Sequence, residues 1–200
     1  MITLNRGNYV EMEGALCMFK KSPVVTIVAI GIGAALFFVL ARFVAIPSPV
    51  PNTNISIQYA LLGFMAVLFG PVAGLAIGFI GHMLTDMSFG WGIWWSWVIA
   101  SGVAGFLLGF AGQKAELTKG TFGTAAIIKF NIWQVVAHAV SWVVVAPLLD
   151  MLIYAEPASK VFLQGAVAGA ANIVTTGILG TLLLLGYAAA RPAKGSLSKQ

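Results

Sequence analysis

The sequence predicts an all-α integral membrane protein, a compact bundle of six transmembrane helices with both termini in the cytoplasm. Of the 200 residues, 60% are hydrophobic and only 8% are charged. Soluble domains carry about 25% charged residues, so this chain has too few charges to cover a water-exposed surface. Apolar runs long enough to cross a bilayer recur along the chain. The lipid bilayer is therefore the expected solvent for most of the protein.

The chain has room for one membrane domain, which we assign to residues 18–191. Residues 1–17 are mixed and aperiodic, whereas Met18-Phe19-Lys20-Lys21 resembles a start of its own before an apolar run. We interpret residues 1–17 as an upstream extension or one added for expression, and we exclude it from the fold. Residues 192–200 form a basic cytoplasmic tail in this scheme.

Polar or proline-containing turns separate the apolar segments. Three prolines in residues 47–54 end the first helix, and Gly70-Pro71 separates the second helix from the third. If Gly70-Pro71 were only a kink, these two helices would form one span and the total would be five. The predicted helices cover residues 24–46, 55–69, 72–85, 93–110, 122–149 and 161–190.

Basic residues decide between five spans and six. Lys20 and Lys21 precede the first helix, and Arg191, Lys194 and Lys199 follow the last one. Because positive residues favour the cytoplasmic side, both ends are expected inside and the number of spans is even. The net charge of +5 is thus a topology signal, and no nucleic-acid partner is predicted.

Metal and nucleotide chemistry have little support in the sequence. The single Cys17 and the two histidines are too few for a disulfide framework or a zinc site. No Gly-x-x-x-x-Gly-Lys-Ser/Thr loop is present, so the chain itself is not expected to hydrolyse ATP. We predict no cofactor, no metal and no catalytic residue.

Polar and indole side chains within the predicted helices are the candidate solute-binding residues, because a polar group in a bilayer is costly without a partner or a role. Asn131, Gln134 and His138 share one stripe of the fifth helix, and His82 lies one turn before Asp86. Amides, imidazoles and indoles suit a small planar heteroaromatic solute. The predicted set is Gln58, His82, Asp86, Trp94, Trp97, Asn131, Gln134, His138 and Asn172.

Each group also has a purely structural interpretation. Asn131, Gln134 and Asn172 are equally suited to interhelical hydrogen bonds. His82 and Asp86 form a pair that would fix a helix end. Trp91, Trp94, Trp95 and Trp97 would suit an interfacial aromatic belt.

The order of these motifs resembles the substrate-binding S components of energy-coupling factor (ECF) transporters. Within them it is most similar to the riboflavin-type group, which includes proteins assigned to hydroxymethylpyrimidine. The resemblance extends from Met18 to about Arg191. The segments that carry it are Ile46-Pro47-Ser48-Pro49-Val50-Pro51-Asn52-Thr53, Gln58-Tyr59-Ala60, Phe69-Gly70-Pro71, Gly78-Phe79-Ile80-Gly81-His82 and Ile93-Trp94-Trp95-Ser96-Trp97.

The resemblance implies a multi-pass protein of a prokaryotic plasma membrane that captures a water-soluble vitamin at the outer face. Its partners would be a transmembrane T component and two cytosolic ATPase subunits that drive uptake. A lid loop including Pro49, Pro51, Asn52 and Thr53 would cap the site. A solute like hydroxymethylpyrimidine or pyridoxine is expected, with riboflavin as the alternative.

Small residues on the first helix would dock the T component in this family, through an Ala-x-x-x-Ala motif. Here the matching pairs are Ala29-x-x-x-Gly33 and Gly31-x-x-x-Ala35, and the sequence leaves open which pair is used.

Two other classes of function are less well supported. A membrane-embedded serine protease needs a nucleophile and a base on facing helices, and Ser101 with His138 lacks the flanking signature. A stand-alone facilitator or channel would usually carry a polar stripe through both membrane halves, whereas the polar residues here gather towards the outer half.

Overall fold

The computed structural model describes residues 23–90, 92–112, 117 and 120–191, and the described chain is an all-α bundle. Its six helices confirm the predicted fold class. The helices are α1 Pro23–Phe43, α2 Gln58–Phe69, α3 Pro71–Phe89, α4 Trp95–Leu108, α5 Thr124–Tyr154 and α6 Ala158–Ala189. The α5 and α6 helices each contain a π-helical turn, at Val140–Val145 and Thr176–Gly180.

Several predictions made from the sequence fall outside the described residues. These are the extension at residues 1–17, Lys20 and Lys21, Trp91, and the tail at residues 192–200.

The break between α2 and α3 is confirmed. Gly70 has φ 92°, in the left-handed region that favours glycine, and Pro71 opens α3 at a position where its missing N–H costs nothing. The alternative of one kinked span is therefore wrong. The α1, α3, α5 and α6 helices are long and apolar enough to cross a membrane, while α2 and α4 are shorter, at 12 and 14 residues.

Successive helices run in opposite directions through the bundle. Arg42, near the end of α1, lies over the ring of Phe89 at the end of α3. At the opposite end, Val67 and Leu68 near the end of α2 belong to the same hydrophobic cluster as Leu184 and Ala188 near the end of α6. The start of α1 and the end of α6 therefore lie at the same end of the bundle. This agrees with an even number of spans, and the cytoplasmic side of that end stays a prediction.

The α3 and α4 helices pack backbone against backbone. A Cβ atom on Gly74 would overlap the carbonyl oxygen of Gly105, and one on Gly78 would overlap that of Ser101. Small residues at these positions let the helix axes approach closely in lipid. This approach brings the last turns of α3 against the first half of α4, where the polar residues of both helices meet.

The α2 helix lies in the middle of the bundle, and nine of its 12 residues are buried. It follows a small hairpin whose strands, β1 Ile46–Pro47 and β2 Asn54–Ile55, are antiparallel. The lid loop, residues 47–54, closes this hairpin with Asn52 at φ 57°. The hairpin therefore places the lid loop at the end of the bundle where α1 and α3 end.

Candidate functional site

Two adjoining cavities lie under the lid loop. The larger has a volume of about 230 Å³ and the smaller about 110 Å³. Four residues line both: Asn52, His82, Asp86 and Trp97. The two cavities therefore form one candidate site with a shared wall.

A chain of hydrogen bonds from α2, α3 and α4 forms one wall. The Ser101 hydroxyl is 2.5 Å from Nδ1 of His82 and 2.7 Å from the Tyr59 hydroxyl. On its other side, His82 places Nε2 3.6 Å from Oδ1 of Asp86. The main-chain N–H of Trp94 donates to Oδ2 of Asp86 at 2.9 Å. The hydrogen bonds orient the imidazole through Nδ1 and the carboxylate through Oδ2, and both groups lie beside the cavities.

Asp150 organises the indole rings on the opposite wall. Its carboxylate, which is buried, accepts hydrogen bonds from Nε1 of Trp94 at 2.6 Å and Nε1 of Trp97 at 2.7 Å. The Ser96 hydroxyl donates to the same carboxylate. A buried charge needs partners of this kind, and these donors satisfy it. One carboxylate on α5 thus fixes two indoles at the start of α4.

Aromatic faces complete the interior. Trp97 lies against Trp142 with ring centroids 5.3 Å apart, and the Tyr59 ring meets Trp142 edge-on at 5.2 Å. Trp94 stacks on Tyr154 at 4.3 Å. Such surfaces offer stacking to a planar ring while the polar wall offers hydrogen bonds.

The lid loop is in contact with the site. Thr53 is buried, and Asn52 lines both cavities. Nε2 of Gln164, on α6, donates to the main-chain carbonyl of Pro51 at 2.9 Å. Pro49 is exposed on the outside of the loop.

Six of the nine predicted solute-binding residues come together here. Gln58 and Asn172 line the smaller cavity, Trp94 lines the larger, and His82, Asp86 and Trp97 line both. The assignment of these residues to solute binding stays a prediction.

The other three predicted residues lie between α5 and α6, away from the cavity lining. Asn131 Nδ2 donates to Oγ1 of Thr181 at 3.0 Å, and Gln134 Nε2 donates to the main-chain carbonyl of Ile173 at 3.2 Å. His138 is hydrogen-bonded through Nε2 to the Thr176 hydroxyl at 3.0 Å.

His138 nevertheless touches the aromatic wall from behind. Its Nδ1 accepts a hydrogen bond from Nε1 of Trp142 at 3.2 Å, and its ring meets that of Tyr59 edge-on. Gln134 and Asn131 have no such link to the cavities among the described contacts.

The nine predicted solute-binding residues do not include Asp150, Tyr59, Ser101, Trp142 or Gln164. Asp150 directly follows the fifth predicted helix, residues 122–149, and lies outside every predicted helix. Its signal was its position beyond that segment, on the same side as the tryptophan cluster that starts α4. Among the described residues, no group of three or more histidine, cysteine, aspartate or glutamate side chains has the arrangement of a metal site.

A protein-family model described as "ECF-type riboflavin transporter, S component" matches residues 21–189. The chain belongs to this family. It is therefore a non-catalytic, multi-pass membrane subunit of a bacterial ECF transporter, which implies ECF partners and a vitamin substrate. This confirms the resemblance found in the motifs.

Relatives and a solved structure agree with this S-component assignment. A UPF0397 protein of Enterococcus faecalis is 54% identical, covering 91% of this chain and 100% of the relative. One of Clostridium perfringens is 51% identical over 90% of this chain and 98% of the relative. The crystal structure of FolT bound with folic acid matches with a TM-score of 0.57 and 17% identity, over 79% of this chain and 95% of that chain. That likeness shows the S-component fold.

The candidate docking residues of this S component point in two directions. Ala29 and Gly33 are buried against the bundle, and a Cβ atom on Gly33 would lie 2.7 Å from Cδ1 of Ile77. Gly31 and Ala35 are exposed on the other face of α1, and a Cβ atom on Gly31 would meet nothing within 4 Å.

Proposed function

We propose that this S component captures a small heteroaromatic vitamin or precursor, of the hydroxymethylpyrimidine or pyridoxine type, in the two adjoining cavities. The observation that carries the proposal is that an indole pair, Trp97 with Trp142, and a polar pair, His82 with Asp86, line the same cavity. A planar ring would stack on the first pair and exchange hydrogen bonds with the second.

Cavity volume favours a single ring over the three rings of riboflavin. Sites for drug-sized ligands are typically about 300–1,000 Å³, whereas the cavities here are about 230 and 110 Å³. Riboflavin would require the two spaces to merge. A single-ring solute is small enough to need no such change.

The lid loop would retain the solute once it is bound. Asn52 and Thr53 line the smaller cavity, and the loop is fixed to α6 through the carbonyl of Pro51. The prolines limit the conformations that the loop loses on closing, which favours retention.

Delivery would depend on the ECF partners. We propose that Gly31 and Ala35 form the surface for the T component, since both are exposed on α1 while Ala29 and Gly33 are used inside the bundle. Two cytosolic ATPase subunits would supply the energy, because the chain has no phosphate-binding loop of its own.

Solute binding by the purified full chain in lipid nanodiscs tests the proposal. Calorimetric titrations would use hydroxymethylpyrimidine, pyridoxine and riboflavin, and mass spectrometry would identify any solute that co-purifies. We expect one single-ring compound to bind. Trp97→Phe should weaken it about 2- to 13-fold, the usual range for an aromatic pair.

Trp133→Phe is the matched control, because Trp133 donates to the carbonyl of Leu107 and lies outside the lining of both cavities. It should leave the affinity unchanged. If only riboflavin binds tightly, which a yellow preparation would show, the single-ring solute is wrong and riboflavin is the solute. Binding of none of the three compounds would contradict the heteroaromatic class.

A further inference from the structure

We propose that the site selects solutes that are uncharged or cationic and that donate hydrogen bonds, with Asp86 as the main acceptor, and that it rejects phosphorylated or carboxylated forms of the same ring. This inference rests on the proposed function, because it assumes that the solute occupies the cavities lined by Asp86. It defines the chemical class more narrowly than ring size does.

Unused acceptors are the first observation. Oδ2 of Asp86 accepts from the Trp94 main chain at 2.9 Å, but Oδ1 is 3.6 Å from Nε2 of His82, beyond ordinary hydrogen-bond length. Oε1 of Gln58, which is buried at the smaller cavity, has no hydrogen-bond partner. Leaving the buried Oε1 of Gln58 without a partner is costly, so a solute N–H or O–H group that donates to it would recover this cost, and Oδ1 of Asp86 can accept a second such group.

Asn172 adds a group that both donates and accepts. It is only 3% exposed, lines the smaller cavity, and its side-chain amide makes no hydrogen bond within the described part of the chain. An amide in this position can pair with a ring nitrogen that has an amino group or hydroxyl beside it. Aminopyrimidines and hydroxylated pyridines have that arrangement.

Charge is the second, independent observation. The larger cavity is lined by three acidic residues, Asp86, Asp150 and Glu156, and by one lysine, Lys160. The Lys160 ammonium is already paired with Glu156 at 2.7 Å.

Arg42, whose guanidinium lies 4.5 Å from the centroid of the Phe89 ring, is outside the lining of both cavities. An anionic solute would therefore enter a negatively charged space in which the described lining residues include no unpaired cation to receive it. Low solvent access strengthens such repulsion, since charges interact more strongly where the effective dielectric is low.

Matched pairs of compounds test the inference on the full chain in nanodiscs. Hydroxymethylpyrimidine is compared with its monophosphate, and pyridoxine with pyridoxine 5′-phosphate, by calorimetry at one ionic strength. We expect the phosphorylated member of the pair to bind about 100-fold more weakly, as like charges a few ångströms apart predict. Asp86→Asn should weaken binding of the unphosphorylated compound. It should also reduce the ratio of the two affinities about 10-fold, because it removes the repulsion but retains the size of the side chain.

The outcomes are distinguishable. Equal affinity for both members in the wild-type chain would overturn the inference and leave the proposed function standing. Failure of every compound to bind would overturn both. An unchanged ratio in a folded Asp86→Asn chain, with folding checked by thermal unfolding, would remove Asp86 as the determinant. If that variant does not fold, the wild-type ratio alone decides whether anions are rejected.

Discussion

The side-chain amide of Gln164 donates a hydrogen bond to the main-chain carbonyl of Pro51 at 2.9 Å, joining α6 to the lid loop across 113 positions of sequence. Gln164 is buried and also lines the larger cavity, so one residue contacts both the lid and the space beneath it. Because the acceptor belongs to the main chain, the contact depends on the side chain at position 164 and not on that at position 51. The closed lid is thus held by a contact that a single substitution removes.

Replacing Gln164 by leucine should speed solute release. A hydrogen bond of this kind contributes about 0.5–1.5 kcal/mol, which corresponds to about a 2- to 13-fold faster dissociation rate if it is made only with the lid closed. Stopped-flow measurement of release from the purified chain checks the rate. Lys160→Gln, which removes only the ion pair with Glu156 at the same cavity, is the control and should change release less than about 5-fold. Identical release from the wild type and Gln164→Leu would exclude this role for the amide.

Thr53 reports whether the lid opens. In this structure Thr53 is 4% exposed, so a cysteine there should react slowly with a thiol reagent when solute holds the lid closed and faster without solute. The experiment uses Thr53→Cys in a Cys17→Ser background, since Cys17 is the only native cysteine. Ile46→Cys, at a position 64% exposed in β1, is the control that should react equally in both states. If Thr53→Cys is labelled at the same rate with saturating solute and without it, this loop is not a lid.

Alanine at Asn131 or Gln134 should lower stability more than affinity. Both amides bond to α6, and interhelical hydrogen bonds in membranes average about 0.6 kcal/mol. His138→Ala should affect both quantities, because His138 also accepts from Trp142 behind the cavity. Melting temperature and solute affinity are measured together for the three variants. A loss of affinity above about 5-fold at unchanged melting temperature would instead place Asn131 or Gln134 in the solute site.

Assembly should depend on the exposed face of α1. Gly31→Leu or Ala35→Leu should prevent co-purification of the T component and the ATPases while solute binding by the isolated chain persists. Gly33→Leu should instead lower the stability of the isolated chain, since its side chain would collide with Ile77 and Met65. Leu36→Phe adds bulk at another exposed position of α1 and serves as the control. Normal assembly with leucine at both position 31 and position 35 would refute this surface.

Asp150→Asn should loosen the indole wall. The carboxylate accepts from Trp94 and Trp97, and hydrogen bonds to a charged group contribute about 1.5–3 kcal/mol each. The amide is expected to accept more weakly, which lowers the melting temperature and shifts tryptophan emission to longer wavelength. Glu156→Gln is the comparison, because Glu156 is an acidic residue whose ion pair with Lys160 is exposed. It should change neither the melting temperature nor the tryptophan emission. Unaltered emission and stability in Asp150→Asn would contradict the organising role of this residue.

The sequence determines the helices more directly than the site. Apolar length and the Gly70-Pro71 break are local features, so six helices could be predicted from them, with ends within a few residues of those observed. The α5 and α6 helices extend past their predicted ends because Asp150 and Lys160 are polar without ending a helix. In the sequence, a polar residue after an apolar segment indicates a loop. In the fold, Asp150 is buried within a helix because side chains at the start of α4 donate hydrogen bonds to its carboxylate.

The site could be predicted only in part, because residue type does not reveal which way a helix is rotated. The sequence indicates His82 and Asp86 because two ionisable residues one helical turn apart stand near the end of an apolar segment. Asn131 and Gln134 have the same chemistry but face α6, and only the packing of α5 against α6 reveals this. Tyr59 and Trp142 are outside the predicted set, because aromatic residues are common in bilayer helices and their type alone does not indicate a site.

The helices on the two sides of the cavities differ in how much their main chains can change. On one side, α3 and α4 are locked by main-chain contact at Gly74 and Gly78, where even one added methyl group has no space. On the other, α5 and α6 each contain a π-helical turn, a wider coil that a single residue can enter or leave. Among relatives that carry different solutes, the spacing of the α3 and α4 main chains should therefore stay constant, and differences in helix geometry should accumulate on α5 and α6.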